Sequence, residues 1–503
     1  MEKLELRVLA TDSTLTLWWE KPEAAARDQA YEITLDGGEA VTVRCSHHTF
    51  EGLAPQSAHE VRLACVCGGE AHSACVQAVT LAARRRVDVT KPPYNAVGDG
   101  KTLNTAALQR ALDEATAQTC ICFPAGVYMT GALRGHSDTE IWLDEGAVLQ
   151  GTAEIADYLP RIRSRFEGKE MECYSSLLNF GELDHASGPN CRNILIHGHG
   201  KIASGGQKLA WRIIEDERER LKEFLAANAE YVATCENNHT IPGRVRPRLI
   251  NMSNCENVHI CGLTLENGAS WNVHMVYSRG IATHHCTFRS QGVWNGDGWD
   301  PDSSEDCALF ASEFYTEDDA VAIKSGKNPE GNVINRPTKR IRVFDCYSAY
   351  GHGVVIGSEM SGGVEDVKIW DCDLRVSMSG FEIKATKKRG GYVRDVVVRD
   401  CVIPRVMMHS VLYNDDGIGA GIPPVLENCR FERLALTGMY QATQDTGDLR
   451  PCPPIEVIGF DVPGHEVRNV VFRDIVMAND RPGIVIKDAK DVSLINVTSQ
   501  QEV

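Results

Sequence analysis

The sequence predicts an all-β chain, with a small N-terminal β-sandwich followed by a right-handed, single-stranded parallel β-helix, and three observations predict it. A seven-residue tag (Asn or Asp, apolar, any, apolar, any, Asp or Gly, Cys or Ile) recurs as NVHICGL from Asn257, DVKIWDC from Asp366, DVVVRDC from Asp395 and NVVFRDI from Asn469, with RIRVFDC from Arg340 as a variant. Its spacing is that of a coil: 26 residues separate Arg340 from Asp366 and 29 separate Asp366 from Asp395, while gaps of 83 (257 to 340) and 74 (395 to 469) hold three coils each. Cysteines at 255, 286, 307, 346, 372, 401 and 429 fall about once per coil. A strand tag with this period, flanked by turn residues, marks stacked coils in which each buries the face its neighbour leaves open. A sandwich or Greek-key enzyme would not place a cysteine after the same short strand again and again.

Residues 1–84 carry short alternating strands (LELRVLA, STLTLWWEKP, YEITLDGG, AVTVRCS, EVRLACV, ACVQAVTLAA), the spacing of a β-sandwich. Trp18 or Trp19 before a proline turn, Tyr31 opening the next strand, then Leu53, Pro55 and EVRL resemble a fibronectin type III module, with His59 where such modules carry a corner tyrosine. These tryptophans are expected in a core, and the module as a spacer, a lid or an oligomer contact. Residues 85–503 are expected to form the β-helix. Its entry is a helix with Asn104 as N-cap and Ala107, Leu108, Ala111, Leu112 and Ala115 on one stripe, which would plug the open first coil. Between Ser204 and Asn238, KLAWRIIEDERERLKEFLAANAEYVAT has helical rather than strand periodicity, and reads as an excursion above the coils.

The 503 residues, 43% hydrophobic and 24% charged, exclude a disordered or membrane-spanning chain. The first residues have neither a basic nor an apolar leader pattern, so the expected location is the cytoplasm. Eighteen cysteines without a CxxC pair then read as buried thiols rather than disulfides or a zinc cluster. A net charge of -17 argues against nucleic acid or an anionic membrane as partner. The oligomeric state is left open.

Candidate chemistry lies on consecutive coils: Asn295-Gly296-Asp297, Glu317-Asp318-Asp319, Gly351-His352-Gly353 and Phe381-Glu382-Ile383-Lys384. Asp297 and Asp318 are 21 residues apart, about one coil, so they should stack, with His352 and Lys384 continuing the line. Carboxylates, an imidazole and a lysine in one groove are what hydrolysis of a sugar chain requires. Adjacent strand residues point to opposite faces, so Asp318 and Asp319 enter one groove only if the chain bends there. Close carboxylates raise one another's proton affinity, which would keep one protonated as acid while others act as bases. His352 between two glycines is expected at the site as an orienting donor, and Asp300 and Asp302 as turn formers. The competing reading of paired acids is a calcium site or a solvated turn.

These clusters resemble the polygalacturonase family, glycoside hydrolase family 28, whose pattern is NTD, GDD, GHG and RIK. VGDGKTLNTAALQ, RPRLI, WNVH, DPDSS, AIKSG, INRP, VVIGSE and GGYVR extend the resemblance over most of residues 87–503, closest to bacterial exo-acting members. The resemblance implies a pectin-lyase-like β-helix and inverting hydrolysis of α-1,4 galacturonide bonds, with no cofactor or metal. Carried over, it makes Asp318 the general acid, Asp297 and Asp319 the residues that activate water, and Asn295, Lys324, His352, Glu382 and Lys384 substrate contacts. An inverting enzyme also needs acid and base roughly 6.5–9.5 Å apart to admit water. Glu317 and Gly296 are mild departures from the pattern. Glu382 is the larger one, because it stands where an arginine would hold the substrate carboxylate; it would repel a uronate or pair with Lys384, with Lys387, Lys388 and Arg389 near enough to supply charge. The leading expectation is an exo-acting hydrolase of oligogalacturonides, its groove closed at one end by the excursion and the N-terminal module. The rival is a relative acting on rhamnogalacturonan or another α-linked glycan with a neutral sugar at the cleaved position. A non-catalytic glycan-binding solenoid and a lyase are the outside readings.

Overall fold

The computed structural model describes residues 4–410, 417–443, 447–478 and 483–500. The chain divides into two compact units, residues 1–86 with 117–120, and residues 87–116 with 121–503. In the first unit, strands Arg7–Ala10, Leu15–Trp18 and His47–Phe50 form one antiparallel sheet, and Val41–Val43, Tyr31–Leu35, Ala58–Cys67 and Glu70–Val79 form another. Their alternate residues Leu15, Leu17, Ile33, Val61 and Leu63 make a single core around Trp19, whose ring meets Tyr31 edge-on at 5.1 Å. Trp19 is the buried member of the tryptophan pair; Trp18 is only partly covered.

The second unit is a right-handed parallel β-helix whose described residues form three sheets of fifteen, eight and eleven strands. One row of Ile, Val, Leu, Phe and Cys side chains from each sheet fills its interior. The cause of the recurring tag is visible in the backbone. Its first residue is left-handed in coil after coil: Asn193 (φ 59), Asn257 (57), Asp306 (55), Arg340 (57), Asp366 (55), Asp395 (57), Asn428 (57) and Asn469 (54). Asn and Asp tolerate this region better than other residues with a Cβ, which is why they recur there. Their side chains also link coils, Asn257 donating to Asn193 at 2.8 Å and Asn469 to Asn428 at 2.7 Å. The sixth position repeats the device at Asp345, Asp371 and Asp400, each directly after its strand ends and before the cysteine, and at Asp474 within strand Val467–Met477. None of the eighteen cysteines is in a disulfide, and Cys286, Cys346, Cys372 and Cys401 each donate to a backbone carbonyl of the coil wall.

On the face of the fifteen-stranded sheet turned from the core, His284, Phe310, Phe344 and Trp370 occupy register-matched positions and stack with centroids 4.8, 4.8 and 4.3 Å apart. Helix Thr105–Asp113 covers the first coil through Leu108, Ala111 and Leu112. Asn104 holds the N-cap position but makes no capping bond; its carboxamide accepts from Val97 N–H at 2.7 Å and donates to the Val97 and Thr102 carbonyls, tying down the preceding loop instead. The excursion is helical, as its periodicity predicts, over Gly206–Arg220, Lys222–Ala227 and Ala229–Val232. A second insertion is the hairpin of Ile162–Phe166 and Lys169–Cys173. Among the described residues no helix is long and apolar enough to cross a membrane.

The left-handed ladder makes a direct prediction. Asn469→Val, at φ 54 on an exposed position, is expected to cost about 1–2 kcal/mol by the steric penalty of that region, whereas Asn469→Gly, which loses only the exposed bond to Asn428, should cost less. Urea midpoints of the two variants measure this, and equal midpoints would show that the ladder does not fix the residue type.

Candidate active site

The eleven-stranded sheet builds the site on its outer face. Val273, Trp299, Val321, Ile323, Val354, Ile356, Phe381 and Ile383 point into the core. By alternation Asn272, His274, Asp300, Asp302, Lys324, Glu382 and Lys384 project outward. Successive coils are joined by Gly298 N–H to Asp319 O (2.9 Å) and His352 N–H to Asp318 O (3.1 Å), so Asp297, the Asp318–Asp319 pair and His352 lie on three consecutive rungs. The chain leaves the strand at Glu317–Asp319 in a bend, as two adjacent groove-facing carboxylates require. Both carboxylates then reach the same nitrogen: His352 Nδ1 is 3.0 Å from Asp318 Oδ1 and 2.9 Å from Asp319 Oδ1.

The glycines around His352 are needed for this approach. Gly351 has φ 89, and a Cβ there would lie 2.5 Å from Asp318 O; Gly353 has φ 93, and its Cβ would lie 2.3 Å from Gly380 O. Burial disfavours a charged imidazole, but Asp318 and Asp319 outweigh it and push His352 up to about 10. The resulting cation, with Lys384 and Lys324, holds Asp318 well below the usual carboxylate range despite its burial.

Asp297 sits in the opposite environment. Its Oδ2 is 3.1 Å from Lys324 Nζ, which is also 3.8 Å from Asp300 and 3.9 Å from Glu359, and lies 4.7 Å above the Trp271 ring. One ammonium cannot balance three buried carboxylates, so burial pushes Asp297 and Asp300 well above their ordinary range. Burial works against the charge on Lys324 as well, yet Asp297, Asp300 and Glu359 hold it well above the usual lysine range. Asn295, left-handed at φ 53, bridges to the other half of the site: its Nδ2 is 3.4 Å from Asp318 Oδ2, and its Oδ1 accepts from Arg246 Nη2 at 2.6 Å. Arg246 is buried, lies 4.2 Å over Trp294, and is lowered to about 10 by that burial. The two insertions supply further acids to the pocket wall, Glu167 from the hairpin and Glu236 after the helical excursion. Glu167 is held by Arg244 at 2.8 Å, and burial raises Glu236.

Residues 183–416, which include all of these rungs, match the family model described as Glycosyl hydrolases family 28. The chain carries a glycoside hydrolase family 28 domain. A probable polygalacturonase of Vitis vinifera is 33% identical over 323 residues, 61% of this chain and 58% of its own length. The exo-poly-alpha-D-galacturonosidase of Dickeya chrysanthemi is 27% identical over 401 residues, 74% of this chain and 66% of its own. The chain thus spans under two thirds of either relative. The fold is shared with the family 28 exopolygalacturonase of Yersinia enterocolitica (TM-score 0.81, 21% identity, 99% of this chain and 96% of that one). It is shared also with an exopolygalacturonase of Thermotoga maritima (TM-score 0.64, 24% identity, 83% and 92%).

Within the family 28 domain the structure brings Asp297, Asp318, Asp319, Asn295, Lys324 and Lys384 to one pocket, with His352 behind the Asp318–Asp319 pair. Several expectations need correction. In the empty groove burial favours the proton on Asp297 and Asp300, whereas the His352 imidazolium favours the ionised form of Asp318 despite its burial. Asp300 and Asp302 do not form turns: both are wholly buried on strand Trp299–Asp302, Asp300 beside Lys324 and Asp302 bonded to Arg165 at 2.8 Å with His274 at 3.5 Å. Glu382 is not turned to a ligand either; it accepts from Ser379 Oγ (2.9 Å) and His409 Nε2 (2.7 Å). Of the three nearby cations, Arg389 is buried, donating to Ser358 and Asn328, and its charge acts on Glu359 in the pocket wall rather than on a ligand directly. The sequence reading passed over Arg165, Arg246, Trp271, Glu167, Glu236, Glu359 and His409. The arginine spacing in RPRLI and the WNVH strand were the signals for Arg246 and Trp271.

Two predictions follow from the charges. Lys324→Met leaves three buried carboxylates without their cation and should cost about 3–5 kcal/mol near neutral pH. The cost should shrink as pH falls, because Asp297 and Asp300 then take up protons; a loss independent of pH would assign Lys324 a packing role. His352 is raised from 6.5 to about 10, so its stabilising contribution is complete below about 6.5 and disappears as pH climbs through 10. Thermal melts of His352→Gln against the parent should therefore differ most at pH 5.5–6.5 and converge near pH 10.

Proposed function

We propose that this protein is an inverting glycoside hydrolase that removes units from the ends of short pectic oligogalacturonides. The observation that carries the reading is the imidazole shared by Asp318 and Asp319, with Asp297 on the next rung. In the reactive form the proton that the empty groove favours on Asp297 sits on Asp318, which delivers it to the glycosidic oxygen as the anomeric C–O bond breaks and its electron pair goes to that oxygen. Water attacks the anomeric carbon from the other face and loses its proton to Asp319 or Asp297. One proton is given and one collected, so no cofactor is required. His352 orients the pair and tunes its charge. Lys384 offers the positive charge for a uronate carboxylate.

Attack at a chain end is supported by the hairpin and the helical excursion, which set Glu167 and Glu236 into the pocket wall. The relatives in Dickeya and Yersinia, described as an exo-poly-alpha-D-galacturonosidase and an exopolygalacturonase, support it as well. One observation favours the second reading, an α-linked glycan with a neutral sugar at the cleaved position: Glu167, Glu236 and Glu359 line the pocket beside the three aspartates, against Lys324 and Lys384. The free thiols support a reducing, cytoplasmic location. The Trp19–Tyr31 core supports reading the N-terminal sheets as a fibronectin type III-like module serving as spacer, lid or oligomer contact.

A reducing-sugar assay on polygalacturonate, its short oligomers and rhamnogalacturonan, with product lengths resolved, tests the proposal. Monomer or dimer should appear first from the oligomers; early long fragments would show an open cleft, and activity on rhamnogalacturonan alone would establish the second reading. Asp318→Asn should lower kcat by about 10²–10⁴-fold with substrate still bound, and retention of more than about a tenth of the activity would place the acid elsewhere.

A further inference from the structure

Glu382 is the residue at which this groove departs from the family pattern, and its surroundings explain how an acid is tolerated there. Its side chain is 7% exposed, and each oxygen already has a partner: Oε2 accepts from Ser379 Oγ at 2.9 Å and Oε1 from His409 Nε2 at 2.7 Å. The other nitrogen of the same imidazole, Nδ1, lies 3.4 Å from Glu456 Oε1, so His409 is gripped between two carboxylates. The three residues come from three consecutive coils, Gly380–Ala385, Arg405–Ser410 and Ile455–Ile458, with Lys384 paired in register to His409. Lys384 stands two residues from Glu382 on the same outward face. Burial would push Glu382 up, but Lys384 and the His409 bond bring it down to about 2. The charged groups acting here are Glu382 and Lys384 on the preceding coil, Glu456 on the following one, Arg405 on the strand of His409, and His352 further along the groove.

Resting on the galacturonide reading above, we propose that Glu382 and His409 form a neutralising pair that positions Lys384 and sets the charge of the subsite that receives the substrate's uronate carboxylate. With His409 protonated and Arg405 acting on Glu456, the charge of Glu382 is offset, and Lys384 presents a net positive charge to the sugar. When His409 loses its proton, Glu382 cancels Lys384 instead, and an anionic sugar loses its attraction. The device makes affinity for a uronate dependent on pH and leaves a neutral sugar almost unaffected. Glu382 and His409 are positioning residues here: they act through Lys384 and touch no reacting atom.

The test is the pH dependence of KM and kcat on trigalacturonate for the parent, His409→Gln, Glu382→Gln and the double variant. KM of the parent should rise by about tenfold across the titration of His409, the scale of one unit charge in a half-buried site. His409→Gln should show the raised KM already at low pH and little further change. The double variant, which removes both charges, should return KM to the parent's low-pH value. Failure of this rescue, or a parent KM without a step in pH, would overturn the pair's role, since a purely structural defect is not repaired by a second substitution. If the parent does not cleave galacturonides, the galacturonide reading fails on its own account. The pair is then judged by NMR titration of His409: a midpoint above the ordinary histidine value that drops in Glu382→Gln supports it, and an ordinary midpoint in the parent overturns it.

Discussion

Left-handed residues at two fixed positions of the coil govern this molecule. At the first tag position the backbone takes a φ near 55°, and the same conformation returns at the sixth. This fixes where each coil turns, and hence which residue of one coil sits above which residue of the next. Burial of one face already forbids a one-residue slip, which would turn the apolar set outward, but a slip of two residues keeps the faces and needs a further restraint. The side-chain amide bonds between Asn193 and Asn257, and between Asn428 and Asn469, add a second check at the same points. Everything on the outer face inherits that register. Asp297, the Asp318–Asp319 pair, His352 and Lys384 converge because they occupy related places in consecutive coils.

Superposed charges need counter-charges, and the groove supplies them in alternation. Lys324 serves Asp297, Asp300 and Glu359; His352 serves Asp318 and Asp319; His409 serves Glu382 and Glu456. Two carboxylates of the same chemical type consequently behave differently: Asp297 is under-compensated and favours its proton, whereas Asp318, against an imidazolium, favours ionisation. Position relative to one cation, rather than residue type, separates their proton affinities in the empty groove.

The coils, the entry helix, the helical excursion and the acidic rungs could be read from the sequence because each is a local or periodic signal. The tag survives as a pattern because few side chains accept its first conformation, and the Asp318–Asp319 bend announces itself because two acids cannot otherwise share a face. The counter-charges were not legible in the same way. Arg165, which neutralises Asp302, comes from a hairpin 137 residues earlier in the chain, and no periodicity connects the two. Asp300 and Asp302 looked like turn residues because DPDSS has turn composition, while their burial depends on insertions packed over the strand. His409 could have been found: it lies one coil beyond Lys384, at the spacing the tags define.

The tryptophans are distributed so that a single chain carries separate optical reporters. Trp19 lies in the core of the N-terminal sheets, Trp271 and Trp294 lie beneath Lys324 and Arg246 at the pocket, and Trp370 closes the aromatic stack on Phe344. A stacked-coil protein can lose its coils progressively rather than all at once. Near-ultraviolet signals, assigned among the eight tryptophans by single Trp→Phe substitutions, would therefore distinguish fraying of the later coils from melting of the sandwich or from a change at the groove.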